Sequence, residues 1–450
     1  MLNFKICQKA RLSRDSRFDG KFFTAVKTTG IYCRPICPAT TPREKNILYF
    51  SSAIEAANAG YRPCLRCHPD SAPGSPAWKG VNTTLERAMR LISEGALQDN
   101  SLKILSGRLG VGDRYLRHLF KKHLGISPKA YALYQQCLFA KQLLHQTKLP
   151  ITQVALASGF NSIRRFNDCF QSQLNLTPSQ VRKSREITPN VLQLQLYYRP
   201  PYDWDYMHSF FMLRAIAGLE WCDKKSYGRT FEWLGNSGRF TAQHVAHKNN
   251  FNVAIELDNV THLKPIVNNI RRILDLDVDI QMVEQDLQQH LVLKTGLRLP
   301  GTWNMFEAGI RAILGQQISV VAARNLVTNL VATLGQPTKT NHLFPSPQSI
   351  AKNELEFLKI PTSRKQTLRN LAQHYMNHNN PDDHQEWLML KGIGPWTIDY
   401  ARLRGLSDPD IYLGGDLGVK KAVVKSAHPF NPNLASPWRS YLTLQLWSQL

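Results

Sequence analysis

The sequence predicts a multidomain α+β protein, and three observations predict it. A chain of 450 residues is too long for one ordinary hydrophobic core, so about three or four domains are expected. All eight cysteines lie before residue 223, at 7, 33, 37, 64, 67, 137, 169 and 222, which confines sulfur chemistry to the front. The apolar periodicity also changes along the chain, from helical, to the period of two of a half-buried strand, and back to helical from Trp303 onward. The expected order is a small four-cysteine domain (1–75), an all-α domain (80–186), a small α+β antiparallel-sheet domain (190–300) and an all-α domain (301–450).

Charge narrows the class of partner. The net charge is +23, and residues 1–190 hold 29 Lys/Arg against 11 Asp/Glu while residues 191–450 hold 27 against 22. A front half this basic points to a polyanion. An aromatic content of 10% argues against a disordered basic tail. No amphipathic anchor and no 18-residue apolar run is present, so nucleic acid is preferred to a membrane. The stretch Met1-Leu2-Asn3-Phe4-Lys5-Ile6-Cys7 lacks the apolar block of a signal peptide, and a soluble, cytosolic protein is expected.

Two cysteine pairs carry the first chemistry. Cys33 and Cys37 stand in Gly30-Ile31-Tyr32-Cys33-Arg34-Pro35-Ile36-Cys37, and Cys64 and Cys67 in Tyr61-Arg62-Pro63-Cys64-Leu65-Arg66-Cys67. In a reducing compartment such spacings imply a metal, and four thiolates suit one tetrahedral Zn²⁺. A purely structural zinc knot is the plain alternative. The whole stretch 19–70, including Pro42-Arg43-Glu44, resembles the Ada-type methyl-phosphotriester receptors. That resemblance implies that Cys33 takes a methyl group irreversibly from a DNA phosphotriester. Zinc keeps sulfur in the nucleophilic thiolate form. Methylating one sulfur would reduce the centre from about −2 to about −1 and strengthen its hold on DNA. No Pro-Cys-His-Arg motif is present, so repair of O6-alkylguanine is not expected.

Pro69-Asp70-Ser71-Ala72-Pro73-Gly74-Ser75-Pro76 reads as a linker. An internal repeat follows. Phe120 with Leu124-Gly125-Ile126-Ser127-Pro128 recurs fifty residues later as Phe170 with Leu174-Asn175-Leu176-Thr177-Pro178, and Arg114 recurs as Arg164. Each copy reads as helix, turn, helix: 102–109, 110–112 and 113–123, then 151–157, 158–161 and 162–173. Leu116, Leu119 and Phe120 share one face, as do Phe166 and Phe170, which turns Arg114, Arg117, Lys121, Arg164 and Arg165 outward. Solvated cationic faces would look the same, but the duplication favours a reader. Two such motifs joined by the stretch 131–146 resemble the AraC-type DNA-binding domains, which implies that each second helix enters a major groove. Activation of transcription implies RNA polymerase as a further partner. Lys183-Ser184-Arg185-Glu186-Ile187-Thr188-Pro189-Asn190 closes this domain.

Val191–Tyr198 alternates as a strand should, and Phe251–Leu257 reads as another. The C-terminal part centres on Leu390-Lys391-Gly392-Ile393-Gly394-Pro395-Trp396-Thr397-Ile398-Asp399-Tyr400. Gly392 and Gly394 permit a tight hairpin, and Pro395 suits the first position of the following helix. Backbone N–H groups at such a helix start hold a phosphate without reading a base. With Asp416 lying 22 residues past Gly394, the stretch resembles the helix-hairpin-helix DNA glycosylases, and its Trp396, Tyr400 and Asp416 resemble the AlkA branch in particular. Arg199-Pro200-Pro201-Tyr202-Asp203-Trp204 and 295–301 resemble the α+β domain that opens those proteins.

The resemblance implies an enzyme that hydrolyses the N-glycosidic bond of alkylated bases of the 3-methyladenine type in double-stranded DNA. Trp396, Tyr400, Trp447, Phe210 and Gln316 fall at its base-pocket positions. A flipped, cationic base stacks on electron-rich rings, and Asp416 stabilises charge growing on the sugar. Plain readings exist for four of these: an N-cap for Asp416, core aromatics for Phe210 and Trp447, a satisfied buried amide for Gln316. Trp396 stands where bifunctional relatives place a lysine, so a monofunctional glycosylase is expected. Leu413-Gly414-Gly415 departs from a pattern that often has proline, which leaves the rigidity of the Asp416 loop open. The absence of cysteine after 222 argues against an iron–sulfur cluster. The rival reading is a DNA-binding regulator whose glycosylase half is inactive.

Overall fold

A computed structural model describes residues 3–15, 18, 21–37, 39–51, 53–64, 67, 83–98, 101–109, 111–182, 191–289, 291–378, 380–425 and 431–449. The linker 69–76, Lys183–Asn190 and Gly110 of the first turn lie outside the described residues. The chain divides into two compact units. One comprises Met1–Pro200, Val245–Arg271 and Leu276–Asp279, the other Pro201–His244, Arg272–Asp275 and Ile280–Leu450. Residues 190–300 thus contribute to both.

The first unit opens with a four-stranded sheet whose order is Ile47–Phe50, Phe23–Val26, Ile31–Cys33, Arg62–Pro63. Its pairings are antiparallel except the last, which is parallel. Phe23, Ala25, Tyr32 and Ala56 form its core. The repeat of the sequence then emerges as two helical pairs, Leu102–Arg108 with Asp113–Leu124 and Ile151–Ala157 with Ile163–Leu174, joined by Pro128–Gln146. Both copies end their second helix alike. Gly125 (φ 72°) and Asn175 (φ 52°) take the left-handed conformation that stops the helix, which these two residue types tolerate best. Ser127 and Thr177 then cap the next helix, each followed by proline at its first position, so the sequence match at these sites has a backbone cause. Leu192–Tyr197 pairs antiparallel with Asn250–Leu257 in the same unit, and its burial alternates as its sequence does.

In the second unit the helix Trp204–Arg214 precedes three strands, Glu220–Asp223, Ser226–Trp233 and Asn236–Val245, paired antiparallel in sequence order. Helices follow, and Met305–Gly315 is the central one. Phe306, Ile310, Ile313 and Leu314 on it join Leu368, Leu371, Trp387, Ile393 and Ile398 in one buried cluster. Gly309 lets Trp387 in: a Cβ there would lie 2.7 Å from the indole. The indole N–H donates to the Pro381 carbonyl at 2.7 Å, which satisfies the one polar atom of a wholly buried ring. Trp387 ends the short helix His384–Trp387 and so fixes where the hairpin begins.

A buried ion network also holds this unit. Arg229 donates to both oxygens of Glu307 at 2.9 and 2.6 Å, and Arg311 reaches Glu307 at 2.7 Å and Glu220 at 2.9 Å. Burial works against the Glu307 carboxylate, yet Arg229 and Arg311 overcome it and pull the carboxyl down to about 2.

Candidate active site

The hairpin 388–394 connects His384–Trp387 to Pro395–Ala401. Gly392 adopts φ 90° and its backbone sits so close to Thr367 that a Cβ would lie 2.1 Å from the hydroxyl oxygen. Gly394 caps the helix with φ −108° and has nothing within 4 Å of a Cβ position. The first glycine is demanded by the fold, whereas the second leaves space on an accessible surface. Gln316 braces this turn: its amide N–H₂ donates to the Gly392 carbonyl at 3.3 Å and to Thr397 Oγ1 at 3.1 Å. Its donors are therefore engaged on the hairpin, as the plain reading of a satisfied amide expects.

Asp416 precedes the helix Leu417–Lys425 and caps it, accepting from the N–H groups of Gly418 at 2.9 Å and Val419 at 3.2 Å. Two indoles complete its surroundings. Trp447 Nε1 donates to Oδ1 at 2.9 Å and Trp396 Nε1 to Oδ2 at 3.3 Å. Four N–H donors thus converge on two oxygens, which an acceptor-only carboxylate can satisfy. The cap and the indole contacts coexist, so the carboxylate has a structural role whatever else it does.

Rings pair on either side of it. Trp396 stacks with Tyr400 at 5.3 Å between centroids, and Phe210 lies 6.2 Å from Trp447 at 31°. Trp396, Tyr400 and Trp447 are half-buried and Phe210 is buried. The structure thus brings together Asp416 and the four aromatic residues singled out in this half, with Gln316 bonded to the hairpin from the end of the helix Met305–Gly315.

Two arginines here went unremarked in the sequence. Arg214 lies over Phe210 at 3.7 Å, and Arg404 lies over the same ring at 4.8 Å while donating to Tyr400 Oη at 2.9 Å. Burial would raise the Tyr400 phenol, but Arg404 and Arg214, with Arg311, bring it below its ordinary value. Each arginine stands four residues after an aromatic already identified, Phe210 and Tyr400, and that spacing was the available signal.

The loop before Asp416 is held without proline. Ser440 Oγ accepts from the Ile411 N–H at 2.9 Å and Thr443 Oγ1 from the Leu413 N–H at 3.2 Å. Both hydroxyls are buried on the helix Arg439–Trp447, so side-chain hydrogen bonds supply the rigidity that the Leu413-Gly414-Gly415 departure put in doubt.

In the first unit Cys33, Cys37, Cys64 and Cys67 offer four sulfurs that all lie within 4.8 Å of one another. Four thiols this crowded cannot all ionise unaided: hydrogen bonds among them push Cys33 and Cys67 up and pull Cys37 down to about 7. A tetrahedral cation resolves that conflict. An open cavity of about 520 Å³ beside Cys33, Cys37 and Cys64 is lined also by Arg11, Arg14, Arg34 and Arg62. Arg34 is buried and donates through its backbone N–H to Cys67 Sγ at 3.3 Å.

On the helical pairs, Arg114, Arg117, Lys121, Arg164 and Arg165 are all exposed, opposite buried Leu116, Leu119, Phe120, Phe166 and Phe170. Lys121 is tied locally, donating to the Gly125 carbonyl at 3.1 Å. Among the described residues no helix is long and apolar enough to cross a membrane.

Comparison with known proteins finds three families along the chain. Family models match residues 6–70 as the metal binding domain of Ada, 105–184 as a helix-turn-helix domain and 193–304 as the AlkA N-terminal domain. The first of these falls on the four-cysteine cluster, which is a Zn²⁺ site. A DNA-3-methyladenine glycosylase 2 of Escherichia coli is 31% identical over 274 residues, covering 56% of this chain and 95% of that protein. The bifunctional transcriptional activator/DNA repair enzyme Ada of the same organism is 32% identical over 177 residues, covering 39% of this chain and 48% of that one. Over its full length the chain is 32% identical to a Mycobacterium tuberculosis protein named probable bifunctional transcriptional activator/DNA repair enzyme AlkA, 97% of which is covered. The chain belongs to this bifunctional Ada/AlkA family, in which a metal-binding domain, a helix-turn-helix domain and an AlkA-type domain share one polypeptide.

Proposed function

We propose that the chain is a monofunctional DNA glycosylase for alkylated bases of the 3-methyladenine type, fused to a methyl-phosphotriester sensor that activates transcription. The observation that carries the enzymatic part is Asp416 held by the indoles of Trp396 and Trp447. Trp396, Tyr400 and Trp447 wall the extruded base, with Phe210 backing Trp447, and Gln316 braces the hairpin. Gly392 and Gly394 let that hairpin hold a phosphate of the DNA backbone. Asp416 stabilises positive charge on the deoxyribose as the C1′–N bond breaks and the bond's electrons leave with the base. Water adds to C1′ and gives up a proton to solvent. With tryptophan at 396, no lysine is placed there to form a Schiff base, so the strand stays intact at an abasic site.

In the sensor, Cys33 sulfur attacks the methyl carbon of a phosphotriester. The S–C bond forms, the C–O bond breaks, and its electrons return the phosphate to an anionic diester. The cavity beside Cys33, lined by arginines, supports this reading, as do the roles that the related proteins' names state. Bound zinc supplies the field that keeps sulfur ionised. Arg114, Arg117, Lys121, Arg164 and Arg165 contact operator DNA, and RNA polymerase is the partner that activation requires.

The deciding assay is release of methylated base from duplex DNA. Asp416→Asn keeps an N-cap, since Asn caps as well as Asp, and is expected to fold while base release falls by roughly 10²–10³-fold. Lack of release by the wild-type protein would leave only the regulator. Transfer of a labelled methyl group to the protein, absent in Cys33→Ala and read alongside zinc content, tests the sensor.

A further inference from the structure

His374, His378 and Glu386 in the second unit form a ligand set that neither proposed activity uses. We propose that they bind one divalent first-row transition ion of the Zn²⁺ type, clamping the helix Thr362–Asn377 to the short helix His384–Trp387 that leads into the hairpin.

The ligand atoms are already gathered. Each residue offers one, all within 4.8 Å of one another. Glu386 Oε2 lies 3.6 Å from His374 Nε2 and 4.0 Å from His378 Nε2. Around a tetrahedral zinc with bonds of about 2.0–2.1 Å, ligand atoms stand about 3.3–3.4 Å apart. The contraction needed is a few tenths of an ångström between Glu386 and His374, somewhat more between Glu386 and His378, and at most about 1.5 Å between the two imidazole nitrogens. His378 and Glu386 can supply it, because their side chains are 46% and 47% exposed. The histidines are spaced i and i+4, which puts both on one face, and their rings sit 4.1 Å apart.

A hydrogen bond orients His378 for this task. His378 Nδ1 lies 3.0 Å from the His374 carbonyl. A carbonyl can only accept, so Nδ1 carries the proton and Nε2 presents its lone pair toward Glu386. That is the arrangement by which outer partners orient metal-bound histidines. His374 Nε2 lies 3.1 Å from the Pro381 carbonyl and donates to it in the metal-free protein. Binding the ion requires this buried ring to turn from that carbonyl toward Glu386 and to move its proton to Nδ1, while the Pro381 carbonyl keeps the Trp387 indole N–H at 2.7 Å. Two imidazoles and a carboxylate suit Zn²⁺, Ni²⁺ or Cu²⁺ and suit Mg²⁺ or Ca²⁺ poorly. Three protein ligands leave one position for water.

The test uses the full chain with its four-cysteine site already loaded with zinc, dialysed against micromolar Zn²⁺ and assayed for metal per chain. The wild type is expected to hold two ions, and His378→Ala and Glu386→Gln to hold one each, with second-site affinity at least tenfold weaker. Co²⁺ in place of the second ion is expected to absorb without the thiolate charge-transfer band of a cysteine site. A single ion in the wild type, a second ion that survives both substitutions, or a thiolate band on the second ion overturns the proposal.

Discussion

Gly392 and Gly394 read identically in the sequence and serve different ends. At Gly392 a side chain would strain a left-handed backbone and meet Thr367 at 2.1 Å. Gly392→Ala is therefore expected to cost about 2–5 kcal/mol, adding left-handed strain to overpacking, read as a lower urea midpoint. Gly394→Ala is expected to leave that midpoint nearly unchanged and to weaken DNA binding, since its Cβ would point into open space where a backbone approaches. Equal losses of stability in both variants would refute the distinction. Asp416 was singled out by its spacing from Gly394, and Trp396 and Trp447 by the resemblance; the structure puts all three in hydrogen-bond contact. Arg214 and Arg404 were not sought, although each stands one turn after a ring it stacks on. Gln316 shows the limit of position alone: the sequence placed it near the pocket, and only coordinates show its amide spent on Gly392 and Thr397.

At the scale of elements, the two helical pairs were readable almost to the residue. Their stops and caps, Gly125 with Ser127 and Asn175 with Thr177, are local chemistry repeated at a fixed interval. The strand Ser226–Trp233 escaped notice for the opposite reason. Six of its residues in a row are buried, but Ser226, Arg229 and Thr230 are among them, so polarity in the sequence does not report burial there and the alternation is confined to Thr230–Trp233. The exposed arginines of the second pair carry a prediction of their own. Arg164→Ala with Arg165→Ala is expected to change stability by no more than about 0.5 kcal/mol. It should weaken operator binding and lower the salt slope of log K by roughly 1–2 if both touch phosphate. An unchanged slope together with unchanged affinity would remove these residues from the interface.

For the molecule as a whole, the order of the pieces could be read from composition, whereas the glue of the second unit could not. Arg229, Glu220, Glu307 and Arg311 are scattered over 92 residues, and only Glu307 and Arg311, four apart on one helix, are marked locally as partners. Removing the charge by Glu307→Gln leaves Arg229 and Arg311 buried against a neutral amide, and is expected to cost about 3–5 kcal/mol at neutral pH. The sign with pH follows from the depressed carboxyl. Its folded value of about 2 lies below the ordinary 4.5, so its stabilisation is complete above pH 4.5 and fades as pH falls toward 2. Urea melts of wild type and Glu307→Gln should converge over that interval, and a gap that persists at pH 2 would contradict the assignment.

The anchoring of residues 411–413 by Ser440 and Thr443 has a temporal corollary. The helix Arg439–Trp447 delivers both hydroxyls and the Trp447 indole, while the hairpin is built some forty residues earlier. On the proposed roles, the hairpin that holds DNA is therefore synthesised before the helix that locks the carboxylate beside it, and base release requires Arg439–Trp447 in place.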